Sequence, residues 1–546
     1  MWRIPRSELR GRSVGEESDD ALIELPRSFT PDEISQLDRD TSTALSIIRE
    51  WRNSFAAVNR VPLDVLSLIP AHLPSQGDQF RATFVCRRWR RTFVQHGALW
   101  SQISFRKGEA YAGTLLERAK GSALDIFVGE DLPTALVGLL PPYAQQIKSV
   151  EFKRTDWEDI RKFSEACSGP LPVLRSLEIA TGFEDDQRAI IPQTSSPFFS
   201  NAINLEEFTF NSKEFQFSNQ FVFPRLTTFM LWGPGTRAQD LFDFLKASPG
   251  LRTVEILTDD AIDLEGIPRE MVVILPNLET FSLGTSGWNV YEVAMHISCP
   301  HARSTSIYHQ MIKLNTFPNQ ELSPTPTLWN TIVHQYTRSP AEEVMLWIGP
   351  IYESSCITFR SSDESDIELS FGVSETDEDE LEMSFGEIIT KVFSQALVAI
   401  WTHPQLSHIK RLHIKYRATP PAILQVLDMA AGIETLFGSI GDLDKLTIEG
   451  GDLLTYFSGF GKWDGLPQLV FPPIKELTIL HPLTDDEDCL DAIVALAESQ
   501  HAKGIPFERA TVRASVLPVA MAERLGQWVG IANCCEEVRP CKSAWD

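Results

Sequence analysis

The chain has 546 residues, 43% of them hydrophobic and 23% charged, with a formal net charge of −25 at pH 7. That length exceeds one compact core and predicts several domains or an elongated array. The acidic balance argues against general nucleic-acid binding, which needs clustered Lys and Arg. Eight cysteines without a CxxC pair, no Asn-x-Ser/Thr sequon and no apolar run of membrane-spanning length fit neither a disulfide framework nor a membrane protein. A cytoplasmic and/or nuclear location is expected.

Residues 1–28 open with four arginines but no apolar core of a signal peptide, and read as a disordered tail. Thr30-Pro31-Asp32-Glu33 then has capping-box spacing with proline at the first helical position. Ile34, Leu37, Thr41, Ala44, Ile48, Trp51, Phe55 and Val58 follow at alternating spacings of three and four, predicting one helix over 29–58. Its seam fits a coiled-coil dimer, or a helix folded on the next unit or partly exposed. Thr41 and Ala44 weaken the seam and favour the second reading.

Residues 59–107 predict a small all-helical unit. Leu63, Leu66, Ile69 and Leu73 mark one short helix, in which Pro70 removes a donor and introduces a kink. Asp78 reads as the N-cap of a second helix striped by Phe80, Phe84, Val85, Trp89 and Phe93, among Arg81, Arg87, Arg88, Arg90 and Arg91. Leu99-Trp100 closes the unit. So much apolar surface in so short a unit divides between core and a partner-facing surface.

Three ordered submotifs resemble the F-box: Val61-Pro62-Leu63-Asp64-Val65-Leu66, Val85-Cys86-Arg87-Arg88-Trp89 and Leu99-Trp100. The pattern departs at Val61, where Leu is usual, and at Pro70. The resemblance implies that this unit docks the Skp-type adaptor, and through it a cullin, of a ubiquitin ligase. The adaptor-binding residues it implies are Pro62, Leu63, Leu66, Ile69, Leu73, Val85, Cys86, Trp89, Leu99 and Trp100. The helix just ahead of the motif is similar to many fungal F-box proteins.

From residue 108 onward an apolar-x-x-apolar-x-apolar template repeats. It runs Ile147/Val150/Phe152, Leu174/Leu177/Ile179, Leu205/Phe208/Phe210, Leu226/Phe229/Leu231, Leu251/Val254/Ile256 and Leu278/Phe281/Leu283. After a gap come Ile409/Leu412/Ile414, Leu443/Leu446/Ile448, Ile474/Leu477/Ile479 and a decayed Phe507/Ala510/Val512, with units 21 to 34 residues apart outside the gap. Each template is the strand half of a leucine-rich repeat, and helical patterns such as Ala238–Ala247, Pro420–Leu436 and Asp485–Ser499 lie between. Single repeats cannot bury their apolar faces alone. The fold class is therefore α/β: an N-terminal helix and a small all-α F-box, followed by an irregular right-handed leucine-rich-repeat α/β solenoid over 108–546 without an asparagine ladder.

Within the gap, Cys299–Ile307 is a weakened copy. His296, Cys299 and His301 there fit no closed zinc spacing and read as a loop entering a strand. Cys356–Arg360 and Asp366–Phe371 look like a strand pair. The stretch 363–382 holds ten acidic residues and no Lys or Arg, the pattern of a solvated loop rather than a contact for a basic partner. Gly459–Gly465 reads as a turn, and Cys534, Cys535 and Cys541 as structural or terminal thiols.

No GxxxxGK[ST], GxGxxG after a strand, GxSxG or HExxH is present, so no catalytic constellation, cofactor or metal site is expected. The predicted function is substrate recognition in a Skp–cullin–F-box type ligase, the repeats holding an unidentified protein target. The alternative is a non-degradative scaffold or sensor. Side chains between the core positions of the strands project outward, and Arg175, Glu178, Thr228, Met230, Thr253, Glu255, Thr280 and Ser282 are the candidate target contacts.

Overall fold

The computed structural model describes residues 30–56, 60–73, 75–105, 108–129, 134–181, 201–212, 221–285, 289–311, 341–348, 355–361, 366–373, 408–416, 435–450, 471–480, 487–513 and 532–534, with a few isolated positions. The tail 1–28, the acidic run 374–382, the glycine-rich segment 459–465, most of the helix predicted over 420–436, Cys535 and Cys541 lie outside these ranges. The chain divides into two compact units, one ending at Leu99 and one beginning at Trp100.

The first unit begins with α1, Pro31–Ser54. Its capping box forms as expected: Glu33 N–H donates to Thr30 Oγ1 at 3.3 Å, and Thr30 N–H donates to Glu33 Oε2 at 2.8 Å. The helix stops short of residue 58, where the Ser54 hydroxyl donates to the Trp51 carbonyl at 2.6 Å and competes with the helical ladder. No residue of α1 is buried.

Next comes α2, Leu63–Leu68, which passes into a 3₁₀ turn, Ile69–His72. The transition falls at Pro70, which cannot donate into the α-helical ladder. The predicted second helix is two: α3, Gln76–Ala82, and α4, Arg87–Gln95. Ser75 rather than Asp78 is the N-cap, accepting from Asp78 N–H at 3.1 Å. The break occurs where Thr83 donates its hydroxyl back to the Phe80 carbonyl at 2.7 Å and Cys86 adopts an extended backbone. One continuous stripe through Phe84, Val85 and Trp89 is thereby split. Leu66, Ala82, Trp89, Phe93 and Leu99 form the core, with the Trp89 and Phe93 rings 5.2 Å apart.

The second unit is mixed α/β and built on one long sheet. Its strands are β1 Gln102–Ser104, β2 Leu124–Val128, β3 Ile147–Lys153, β4 Ser176–Thr181, β5 Glu207–Ser212, β6 Thr228–Gly233 and β7 Thr253–Thr258. A two-residue β8, Val273–Ile274, pairs in parallel with β10, Ile297–Ser298, outside that sheet. The sheet continues with β9 Thr280–Thr285, β11 Ser304–Met311, β12 Ala341–Ile348, β13 Ser355–Ser361, β14 Asp366–Val373, β15 Arg411–Tyr416, β16 Leu443–Glu449, β17 Ile474–Leu480, β18 Arg509–Arg513 and β19 Ala532–Cys534. Neighbours pair in parallel and in chain order, except that β11 pairs with β14, β14 and β12 pair antiparallel with β13, and β12 pairs in parallel with β15.

All thirty apolar positions of the ten templates are buried, as are Ala302, Thr305 and Ile307 of the weakened copy. The expected pair at 356–371 is β13 and β14, so the eight residues of β14 belong to the sheet rather than to a solvated acidic loop. Interstrand pairing supplies the backbone partners that a charged loop would take from water. The helix predicted at 238–247 is Ala238–Ala247, and that at 485–499 is Glu487–Ala502. A Phe-rich cluster fills the space under β5 and β6: Phe229 and Phe244 have ring centroids 4.5 Å apart, and Phe208 lies 5.1 Å from Phe223.

A backbone staircase ties successive repeats, beside side-chain amides such as Asn204 and Asn277, which donate to the Pro172 and Pro249 carbonyls of the preceding repeats at 2.8 and 3.1 Å. The carbonyl just after each first apolar residue accepts two amides from the next repeat: Arg175 from Glu206 and Glu207, Glu206 from Thr227 and Thr228, Thr227 from Arg252 and Thr253, Arg252 from Glu279 and Thr280. Opposite charges often sit at these same positions, Arg175 with Glu206 at 3.2 Å, Arg252 with Glu279 at 3.5 Å and Lys475 with Asp444 at 2.5 Å.

Candidate functional site

Two surfaces carry the residues singled out in the sequence, and each lies within one unit. In the first unit the candidates separate into a core and an exposed set. Leu66, Trp89 and Leu99 are buried, and Trp100, the first residue of the second unit, is buried too. Ile69, Leu73 and Cys86 are half-buried and Pro62 is exposed. Leu63 is 58% exposed and Val85 53%. Three further apolar side chains share that exposure: Val65, Leu68 and Phe84, the last at 72%. Val65 and Leu68 fall off the Leu63–Leu66–Ile69–Leu73 spacing, so periodicity does not reveal them, whereas Phe84 belongs to the stripe read with Val85 and Trp89. Five large apolar side chains uncovered within two short stretches are the signature of a contact surface.

The arginines are mostly structural. Arg88 donates to the Val61 carbonyl at 2.5 Å, tying the start of α2 to α4. Arg90 donates to the Thr83 carbonyl at 3.1 Å while its guanidinium lies 5.4 Å from the Phe84 ring centroid, which holds the break in place. Arg87 reaches back to α1, pairing with Glu50 at 3.2 Å and donating to Ser46. Arg81 pairs with Asp78 at 2.8 Å. Arg91 is exposed.

On the second unit, the predicted outward residues do alternate with the core. Glu178, Thr228, Met230, Thr253, Glu255 and Ser282 are half-buried and Thr280 is exposed. Strand register aligns them in rows: Glu151, Glu178, Thr209, Met230, Glu255, Ser282 and Ser306 form one, and Ser149, Ser176, Glu207, Thr228, Thr253, Thr280 and Ser304 its neighbour. Arg175 lies just before β4 and is engaged by Glu206 and, at 2.8 Å, by the Asn204 carbonyl. Burial, and secondly the charge of Glu151, raises the pKa of Glu178.

A third row, one residue beyond the last core position, joins the half-buried Trp232, Leu257 and Tyr308, with Gly284 between the last two. Trp232 Nε1 donates to Glu255 Oε1 at 3.1 Å. A Cβ on Gly284 would stand 2.6 Å from Leu257 Cδ2 and 3.3 Å from Tyr308 Cβ, so glycine is what lets those two side chains close over this strand. The row was absent from the sequence candidates because only positions between core residues were considered. On the later strands, His413 and Lys415 of β15 both approach Glu449 of β16, at 3.5 and 3.1 Å. Hydrogen bonding to His413, then to Lys415, holds the Glu449 carboxyl down at about 2.

His296 and Cys299 are buried and His301 is exposed; His296 Nδ1 contacts the Met271 carbonyl at 2.7 Å. Among the described residues no cluster of three His, Cys, Asp or Glu side chains is placed to hold a metal, and no helix is long and apolar enough to cross a membrane. Cys167 is a buried free thiol.

Comparison with known families places an F-box-like domain at residues 58–106. The match spans α2, the 3₁₀ turn, α3, α4 and β1, and so contains every exposed apolar residue described above except those of α1. F-box domains in general serve protein–protein interaction, binding Skp-type adaptors, and are non-catalytic. No curated protein matches the chain.

Proposed function

We propose that this protein is the substrate-recognition subunit of a Skp–cullin–F-box type ubiquitin ligase. Its F-box-like unit docks the Skp-type adaptor, and through it a cullin. The sheet of the second unit, read as an irregular leucine-rich-repeat solenoid of the fungal F-box kind over 108–546, holds the target. The observation that carries this reading is the uncovered apolar set Leu63, Val65, Leu68, Phe84 and Val85 inside the F-box-like match. Buried Leu66, Trp89 and Leu99 form the core of that unit, and Pro62, Ile69, Leu73, Cys86 and Trp100 complete the proposed adaptor-binding set.

The mechanism is positional. A target held beside a ubiquitin-charged enzyme meets it at high effective concentration, so no side chain of this chain need react. On the target side, the row of Trp232, Leu257 and Tyr308, with Met230 on a parallel row, offers aromatic and apolar anchors, with Glu151, Glu178, Glu207 and Glu255 on the neighbouring rows. That combination suits a target segment with apolar anchors flanked by Lys or Arg.

Affinity purification of the full chain, compared with a Leu63→Asp/Val85→Asp chain, tests both halves. The expected result is that adaptor and cullin vanish from the variant while a protein target persists. A wild-type chain that retains no adaptor would overturn the reading. Retained adaptor with no ubiquitylated client would favour a scaffold instead.

A further inference from the structure

The helix α1 is turned the wrong way round for a helix that serves only its own chain. Assigning Ile34, Thr41, Ile48 and Phe55 to heptad position a, and Leu37, Ala44 and Trp51 to d, leaves Ser46 and Asn53 at f and Glu50 at c, on the opposite side. That polar side is the one held by the protein: Arg87 of α4 binds Ser46 and Glu50, and Ser46 is the one residue of α1 that is not exposed. The apolar seam faces outward, with Ile48 58%, Trp51 66% and Phe55 55% exposed. It is broadest at mid-helix, where Leu45 and Ile47 flank it and are 46% and 59% exposed. A seam this wide and bare is costly in water unless a partner covers it.

We propose that α1 is a dimerisation helix that pairs antiparallel with α1 of a second copy of this chain. Both packing and charge select that partner. In a parallel pair every a or d residue meets itself, so Trp51 would crowd Trp51 while Thr41 and Ala44 left thin layers. Glu33 at g would also face Asp38 at e of the other chain, a like-charge contact. Antiparallel, a layers stack on d layers of the partner. With the two-fold axis at residue 46, Thr41 lies against Trp51 and Ile48 against Ala44, large against small, and Phe55 lies against Leu37. The flanking positions then set Asp38 against Arg52 twice, and Leu45 and Ile47 each against their own copies at the axis. The two residues that weaken the seam in a parallel reading, Thr41 and Ala44, become the complement of Trp51 and Ile48. Adaptor docking uses other residues, so this inference stands or falls separately from the proposed function.

The test uses the full chain. Sedimentation or light scattering should give twice the 61.4 kDa chain mass. Ile48→Glu should abolish the doubled mass while leaving the melting temperature of the rest of the chain unchanged. Asp38→Arg and Arg52→Asp should each weaken the dimer, and the two together should restore it. A short bismaleimide should link Ile47→Cys chains above the wild-type background but not Ile34→Cys chains, whose thiols lie roughly 36 Å apart in the antiparallel pair. A monomeric wild type, a dimer that survives Ile48→Glu, a double swap without rescue, or cross-linking at position 34 would each overturn the proposal.

Discussion

Leu63 and Leu66 are three residues apart on one short helix, yet one is 58% exposed and the other fully buried. Truncating them should therefore read out differently. Leu66→Ala empties a core site and should cost about 2–5 kcal/mol of unfolding free energy. Leu63→Ala should change stability by less than about 0.5 kcal/mol, because a surface side chain loses few contacts. Urea titration of the two variants checks both figures. Glu449 carries a pH signature. Its carboxyl is held at about 2 in the folded chain against an ordinary 4.5. The unfolded chain thus takes up its proton first, and the stabilisation it provides is fully present above about 4.5 and is lost as pH falls towards about 2. Glu449→Gln should flatten the acid limb of a melting-temperature profile; an unchanged limb would remove this pair from the acid response. The Cys167 thiol, pushed up to about 12 by burial, should resist alkylation in the native protein at neutral pH and react once the chain is unfolded.

Among the elements, the strands were the most readable. Three apolar positions at fixed spacing suffice, because they define which side chains one short strand must bury, and all ten copies land on buried strand starts. Helix Ala238–Ala247 was readable for the same reason, its Leu241, Phe242 and Leu245 being buried. Less readable was whatever depends on side chains finding tertiary partners. The division of the second F-box helix into α3 and α4 rests on Thr83 and Arg90 satisfying local carbonyls, which no periodicity encodes. The exposed pair Phe84 and Val85 follows from that break: both belong to the stripe read from the sequence, and only the break separates them from Trp89 and Phe93, which are buried. Likewise the Trp232–Leu257–Tyr308 row emerges only from strand register. The phenylalanine cluster gives an element-level prediction. Phe208 is buried against Phe221, Phe223 and Phe229, with rings 5.0 to 5.9 Å apart, and Phe208→Ala should cost about 3–5 kcal/mol. A loss under about 1 kcal/mol in calorimetric or denaturant unfolding would show that the cluster does not set the stability of these repeats.

For the whole molecule, the proposed division of labour rests on what each unit leaves uncovered. The first unit leaves apolar side chains bare within an F-box-like match, and the second lays rows of outward residues across one continuous sheet. The ion pairs between repeats are largely exposed, at side-chain exposures of 39–65% for Arg175–Glu206 and Arg252–Glu279, so cohesion comes from burial and the backbone staircase rather than charge. The central claim is that the bare apolar set is the adaptor contact. The most direct measurement is calorimetric titration of a purified Skp-type adaptor into the full chain, beside a Leu63→Asp/Val85→Asp chain of unchanged melting temperature. The account predicts saturable one-to-one binding per chain for the wild type and loss of at least about a hundredfold in affinity for the variant, the cost of placing two charges in an apolar contact. Equal affinity for both chains, or no binding by either, would contradict it.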